Sequence, residues 1–187
     1  MATPDIDYRL AFDLAPVGLV LARNRAIVDC NQRLCEIFGV MREQLVGQSF
    51  QLLYPSADEY ERIGRRIAPI MNTRGHYADD RIMKRVGGRL AGELFWCHVT
   101  GRSLKREAAH EAGIWSFEDL SASRPVKADL TPREREVAAH LMQGLTSKQI
   151  GRALGISHRT IEIYRANLMR KYKASTAADL VHWLLAG

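Results

Sequence analysis

No stretch of this chain approaches the roughly 20 consecutive apolar residues that a membrane-spanning helix needs. The opening residues, MATPDIDYRLAFD, carry acidic side chains where a secretory signal would be basic. The expectation is a cytoplasmic protein with no membrane partner. Cysteine is scarce: Cys30, Cys35 and Cys97 are odd in number and lack metal-ligand spacing, which argues against a disulfide framework and suits small buried thiols in a reducing compartment. There is no glycine-rich phosphate loop, no nucleophile paired with a base and no run of metal ligands, so an enzyme is not expected and no catalytic or metal residue is assigned. Low-complexity tracts are also missing, and 47% apolar with 26% charged residues is the balance of a folded soluble chain.

What is present divides unevenly. A length of 187 residues allows one large domain or two small ones. The net charge is +6, yet residues 129–187 hold nine Lys or Arg against five Asp or Glu, while residues 1–128 hold eighteen against sixteen. The shorter segment thus carries most of the excess, as a nucleic-acid-binding module would, because phosphate neutralisation supplies most non-specific affinity. SASRPVKAD, polar and broken by Pro125, reads as a linker. The expected division is a first domain over 1–122, a linker over 123–128 and a second domain over 129–187.

The second segment has legible helix boundaries. Thr131-Pro132-Arg133-Glu134 combines an N-cap hydroxyl, a proline at the first helical position and a glutamate at the third; Thr146 to Gln149 repeats the capping logic. Ser157 starts a third helix and Ser175 or Thr176 a fourth, with Asp179 placed to cap from inside if Thr176 is the N-cap. Gly144 and Gly155 are placed to end helices with positive φ. Each helix has a narrow apolar stripe: Val137 and Leu141; Ile150 and Leu154; Ile161, Leu168 and Tyr172; Leu180, Val181 and Leu184. Helices two and three are separated only by Gly155-Ile156-Ser157, the short glycine turn of a helix-turn-helix.

With those features, LTPREREVAAHLMQGLTSKQIGRALGISHRTIEIYRANLMRKYKASTAADLV resembles the LuxR-type (NarL/FixJ) helix-turn-helix over nearly the whole segment, nearest the FixJ-like branch in TIEIYRANLMRKY. The resemblance implies an all-α four-helix domain whose third helix, His158 to about Lys171, reads double-stranded DNA in the major groove. Arg159, Glu162, Ile163 and Ala166 lie opposite the core-facing Ile161 and Leu168 and are the base-reading candidates, with Arg165 beside them. Lys148, Ser157, Thr160, Tyr164 and Lys171 are the phosphate candidates, which set register without reading sequence. Two readings of Glu162 stand together: an acceptor for a cytosine amino group, or a partner of Arg165 or Arg159 on the helix surface. Tyr164 is equally open between phosphate contact and packing. In this family the fourth helix contributes to a dimer contact, for which Val181, Trp183 and Leu184 are available; closing the monomer core is the alternative.

The first segment alternates strand and helix signals: strands at Val17–Ala22 and Ile27–Cys30 around an Arg23-Asn24 turn, helices at Asn31–Phe38, Arg42–Val46 and Asp58–Met71, then strands at His76–Val86, Leu90–Leu104 and Ala112–Leu120, with Gly87-Gly88 as a turn. In that order, APVGLVLARNRAIVDCNQRLCEIFGVMREQLVGQSF, LFWCHVTGRSL and GIWSFEDLS resemble the opening and closing pieces of a PAS domain. The implied fold class is an α+β PAS sensor domain, a five-stranded antiparallel sheet with helices on one face, followed by the all-α helix-turn-helix domain.

A PAS domain implies sensing of a small ligand, redox state or light, or else protein contact alone. Photosensory flavin domains have a reactive cysteine after the stretch matching Gly47-Gln48-Ser49, where this chain has Phe50; the long helix DEYERIGRRIAPIM has no histidine for haem. Flavin-thiol photochemistry and helix-histidine haem are therefore disfavoured and the cofactor is left unknown. Strand parity puts Phe95, Cys97 and Val99 on the interior and Trp96, His98 and Thr100 on the other face, which separates Cys97 from His98 as a ligand pair. Asp79-Asp80 and Glu118-Asp119 are read as strand-end carboxylates and not a catalytic pair. Phe95, Cys97, Trp115 and Phe117 are the ligand-pocket candidates, with a solidly filled core as the alternative. The face with Trp96 and Ile114 is a candidate dimer surface. The resulting expectation is a homodimeric transcriptional regulator whose PAS domain senses a signal and controls DNA binding; the rival is a PAS half that recruits or dimerises without a small ligand.

Overall fold

The computed structural model describes residues 7–105, 107–123 and 130–186, so the expected linker, apart from Ser123, lies outside the described residues. A short helix α1 (Tyr8–Asp13) precedes a hairpin of β1 (Gly18–Arg23) and β2 (Ala26–Cys30). Its turn falls one residue later than the sequence suggests: Asn24 and Arg25 both take positive φ, the geometry of a two-residue hairpin turn. α2 (Gln32–Phe38) is capped by Asn31, whose fully buried side chain also accepts from the Leu19 amide and donates to the Phe12 and Val17 carbonyls. After α3 (Arg42–Leu45) and a 3-10 turn at Phe50–Leu53 comes the long helix α4 (Ala57–Arg74), then β3 (His76–Lys84), β4 (Leu94–Ser103) and β5 (Gly113–Asp119). The antiparallel sheet has the order β2-β1-β5-β4-β3, which leaves β3 as an edge.

Strand alternation separates two apolar clusters. Val20, Phe95, Cys97, Val99 and Phe117 point inward with α2 and α4 residues such as Leu34, Phe38, Ile63, Ile67 and Met71. Ile82 and Trp96, opposed across β3 and β4, point to the other face and join the cluster of the carboxy-terminal helices.

Those helices are α5 (Pro132–Met142), α6 (Ser147–Leu154), α7 (His158–Tyr172) and α8 (Ala177–Ala186). The capping boxes at Thr131 and Thr146, the Ser157 cap and the reciprocal Thr176–Asp179 bonds all form. Gly155 ends α6 at a φ of 67°, and Gly151 lets the turn approach: a Cβ there would stand 2.7 Å from the Ile156 carbonyl oxygen. Leu130, Val137, Leu141, Ile150, Ile161, Leu168, Leu180 and Leu184 form one buried core.

α5 does not behave as a surface helix. A helix with one covered face buries a stripe, but here every residue from Glu134 to Leu141 is buried. The second cover is the sheet domain: α5 packs along the β3 edge, the kind of exposed strand that folds tend to shield. Arg135 forms an ion pair with Glu59 of α4, Nε donating to Oε1 at 3.0 Å and Oε2 at 3.4 Å and Nη2 also donating to Oε1. Arg62 reaches Glu136 at 3.3 Å and Arg66 reaches His140 Nε2 at 3.2 Å.

This docking corrects two expectations. Trp96 is 1% exposed beneath the helical domain and offers no surface to a second copy, although Ile114 remains exposed. Asp79 is not at a strand end; it is buried mid-strand, accepting from Arg81 Nε at 2.6 Å, Tyr77 Oη at 2.9 Å and Arg66 Nη2 at 2.9 Å. Three donors explain how an acidic residue can lie inside.

Candidate nucleic-acid interface and ligand pocket

On α7, Arg159, Glu162, Ile163 and Ala166 are exposed together, on the side away from the buried Ile161 and Leu168. Arg165 is tied down, donating to Ser147 Oγ at 2.9 Å and to Glu162 Oε1 at 3.3 Å. The surface-pair reading of Glu162 is therefore realised in the free chain, and an incoming base would have to break a half-exposed ion pair worth little in water. Lys148 is exposed at the start of α6, next to the α7 cap. Ser157 and Thr160 share a hydroxyl bond of 2.8 Å at that cap. Tyr164 packs against the core.

Lys171 departs from its expected role. Its ammonium sits 2.7 Å from Glu134 Oε2 and so clamps the end of α7 to the start of α5. The capping carboxylate, 4% exposed, draws the lysine inward; the Lys171 contact and the Thr131 bonds hold Glu134 below the usual carboxylate range even though burial opposes this. On α8, Leu184 is buried and closes the monomer core, whereas Trp183 is partly exposed. Arg152 and His158 are not among the sequence candidates; both are exposed and share a hollow with Lys148 and Ser157, and His158 also lies one turn before Glu162, lining a second hollow with Glu162 and Arg165.

The sheet domain has a partly open cavity of about 50 Å³. At about 10–15 Å³ for each water, this holds roughly three to five waters or a molecule of a few heavy atoms. Ala22, Val99, Trp115 and Phe117 line it from the sheet, Phe50 and Tyr54 from the 3-10 turn and its end, and Tyr60, Gly64 and Ile67 from α4. Arg25 and His110 add polar groups to the wall. The Arg25 guanidinium lies 3.9 Å from the Tyr60 ring centroid, passing so close to α4 that a Cβ on Gly64 would stand 2.5 Å from Nη2. Burial, and then Arg25, push the His110 imidazole below its usual range.

Two of the four expected pocket residues, Trp115 and Phe117, are in this wall. Phe95 and Cys97 are not. They face inward as parity requires, but nearer the start of β4, where Phe95 packs edge-on against Phe38 at 5.6 Å and carries the Arg85 guanidinium 3.7 Å from its centroid. Parity selects a face and says nothing of position along it. Cys97 and Cys30 are fully buried, and burial raises the Cys97 thiol pKa and pushes that of Cys30 up to about 12. Among the described residues no group of three His, Cys, Asp or Glu could hold a metal ion.

A hydrogen-bonded chain leads out of the pocket wall. Tyr54 Oη accepts from Arg81 Nη1 at 2.7 Å, Arg81 and Arg66 both donate to Asp79, and Arg66 reaches His140 on α5. Burial works against the Arg81 charge, but the adjoining Asp79 more than offsets it and raises the guanidinium pKa. Burial, reinforced by Arg66, lowers the His140 pKa. A neutral His140 fits both its contacts: Nε2 accepts from Arg66 while Nδ1 donates to Gln143 Oε1 at 3.3 Å.

Residues 128–184 match the family model for bacterial regulatory proteins of the luxR family, and residues 7–69 match a PAS domain model. The crystallised PAS domain of a LuxR-family transcriptional regulator from Burkholderia thailandensis, in complex with ethanol, is 63% identical; the match covers 62% of this chain and 99% of that one, with a TM-score of 0.59. The chain belongs to the LuxR family. This LuxR-family regulator carries a PAS sensor domain ahead of a FixJ-type helix-turn-helix: FixJ of Azorhizobium caulinodans is 52% identical over 61 residues, 32% of this chain and 29% of the relative. Sensor protein TdiS of Thauera aromatica is 32% identical over 68% of this chain, which spans only 22% of that relative. VqmA of Vibrio cholerae, at 21% identity, a TM-score of 0.56 and coverage of 98% of this chain and 88% of its own, shares the fold of both domains. No helix among the described residues of the LuxR-family regulator is long and apolar enough to cross a membrane.

Proposed function

We propose that this regulator binds a small oxygen-bearing molecule in the PAS pocket and that occupancy biases how the helix-turn-helix domain is held, and hence DNA binding. The observation that carries this reading is the hydrogen-bonded chain from Tyr54, in the pocket wall, to His140, on α5. Tyr54 Oη accepts from Arg81, which leaves the hydroxyl proton for an acceptor, while Arg25 and His110 add polarity to an otherwise apolar wall. α4 adds a second link, since Tyr60, Gly64 and Ile67 line the cavity while Glu59, Arg62 and Arg66 hold α5. A ligand shifts the equilibrium only by its differential affinity for the two arrangements, and a displaced Tyr54 hydroxyl would supply such a difference.

The proposed working unit is a cytoplasmic homodimer on two half-sites, with the PAS domain over 1–122, a linker over 123–128 and the DNA-binding domain over 129–187. Arg159, Glu162, Ile163, Arg165 and Ala166 are the proposed base readers, and Lys148, Ser157 and Thr160 the phosphate contacts. Structures of VqmA are described as a dimer and as bound to DPO, and the Burkholderia PAS domain as bound to ethanol, which supports dimerisation and a small ligand here. The small cavity favours the second reading, a PAS domain that acts through protein contacts alone.

Native mass spectrometry of the purified protein, followed by fluorescence polarisation on duplex DNA with and without the ligand, separates the two. With ligand sensing, Tyr54→Phe binds the molecule more weakly for the lost hydroxyl, and its DNA affinity no longer responds even at saturating ligand. A protein without bound small molecule, whose DNA affinity ignores a panel of alcohols, ketones and carboxylates of a few heavy atoms, would favour contact alone.

A further inference from the structure

A second cleft, of about 640 Å³, opens where α4 of the PAS domain meets α5 and the end of α6. Five guanidiniums line it: Arg62, Arg65 and Arg66 from α4, Arg133 from α5 and Arg152 from α6. Among the described residues, two carboxylates bond to these arginines, and Asp79 is also shared with Arg81. Glu136 is shared by Arg62 at 3.3 Å and Arg133 at 2.8 Å, and Asp79 takes Arg66 at 2.9 Å. Arg65 and Arg152 have no hydrogen-bond or ion-pair partner among the described residues, and Nη2 of Arg62 and Nε of Arg66 are buried without one. Counted over the described residues, the cleft holds an excess of about three positive charges, with Arg62 and Arg66 partly buried in its wall and Arg65 and Arg152 exposed at its mouth.

The rest of the wall is mostly apolar: Pro69, Ile70 and Leu154, with the ring of Tyr77, whose hydroxyl is turned to Asp79, and the imidazole of His140, which is held by Arg66. A volume of this order suits a small molecule, and cations beside an apolar wall suit an anion that carries a flat or hydrocarbon body. The width of a duplex does not enter such a space. Guanidinium forks match phosphate oxygens two at a time, and arginines arriving from both domains would converge on one such group.

We propose that this interdomain cleft is a binding site for a small phosphate ester, distinct from the PAS pocket, whose phosphate is held by Arg65 and Arg152 with support from Arg62 and Arg66. Since the arginines come from both domains, occupancy favours their docked arrangement, and a protein undocked on its operator binds the ester less well. The site does not require any ligand in the PAS pocket.

Isothermal calorimetry on the full chain, with ADP and with pyrophosphate as probes, tests the assignment. The expected result is saturable one-to-one ADP binding, weakened at least tenfold in Arg65→Ala/Arg152→Ala and unchanged in Arg89→Ala, which removes an exposed cation elsewhere. Pyrophosphate should bind at least tenfold more weakly than ADP. No saturable binding by the wild-type chain, equal loss in the Arg89 variant, or pyrophosphate as tight as ADP would overturn the proposal. So would a double variant that keeps ADP affinity while its duplex binding loses salt dependence, because the arginines would then serve the DNA backbone. Circular dichroism of the double variant, whose changed residues are both exposed, checks that the fold is retained.

Discussion

Replacing Arg135 by methionine isolates the contact that welds the two domains. Glu59 is 2% exposed, and burial raises its carboxyl pKa despite Arg135, so desolvation outweighs the attraction within the pair. Without the arginine, Glu59 cannot remain charged in place and takes up a proton. From its ordinary value of 4.5, protonation at pH 7 costs about 1.4 kcal/mol per pH unit, or roughly 3.4 kcal/mol in all. That figure caps the electrostatic loss and agrees with the about 3–5 kcal/mol typical of breaking a buried pair. The sign follows from linkage. In the variant the folded state holds a proton that the unfolded state lacks above pH 4.5, so stability rises as pH falls from 7 toward 4.5. We expect Arg135→Met to lose about 3 kcal/mol at pH 7 in urea unfolding, to recover much of it near pH 5, and Glu59→Leu/Arg135→Met to be near wild type. A single variant losing under about 1 kcal/mol with no pH dependence, and additivity in the double mutant, would refute the docked arrangement.

Three further outcomes follow from the same geometry. Trp96→Ala, which removes the largest fully buried side chain at the domain contact, should cost about 3–5 kcal/mol and speed amide exchange along α5; unchanged α5 protection would remove the tryptophan from the interface. His140 lies against Arg66, Asp79, Glu136 and Gln143 with its pKa lowered, chiefly by burial, so stability should fall as pH drops below about 6.5, with a slope of at most about 1.4 kcal/mol per unit. His140→Gln should remove that share while leaving the similar share of His110, and identical pH profiles from 7.5 to 5.5 would refute the assignment. On DNA, Glu162→Ala should change sequence preference, whereas Lys148→Ala should weaken all duplexes alike and lower the salt slope by about one; equal losses on cognate and random duplexes for both would dissolve that division.

The helix-turn-helix was readable because its signals are local. A threonine three residues before a glutamate or glutamine, a glycine at a helix end and an apolar residue at every third or fourth place each act within one or two turns, and all appear where the chain pattern puts them. The PAS strands were readable for the same reason, with ends displaced by up to about four residues. The pocket was half readable. Period-two alternation placed Phe95, Cys97, Trp115 and Phe117 on the inner face, but only register against β1 and the path of α4 decide which of them meet empty space.

The amino-acid order alone thus determined the elements, their caps and the identity of a DNA-binding module behind a PAS domain, because these depend on neighbours a few residues away. Only tertiary structure decided where Trp96, Lys171 and α5 belong. Lys171 meets Glu134 from 37 residues away and Arg135 meets Glu59 across 76, separations over which no local pattern operates. The unbroken burial of α5 has the same origin. Its second face is covered by a strand edge from the other domain, and that cover exists only once both domains have folded and docked.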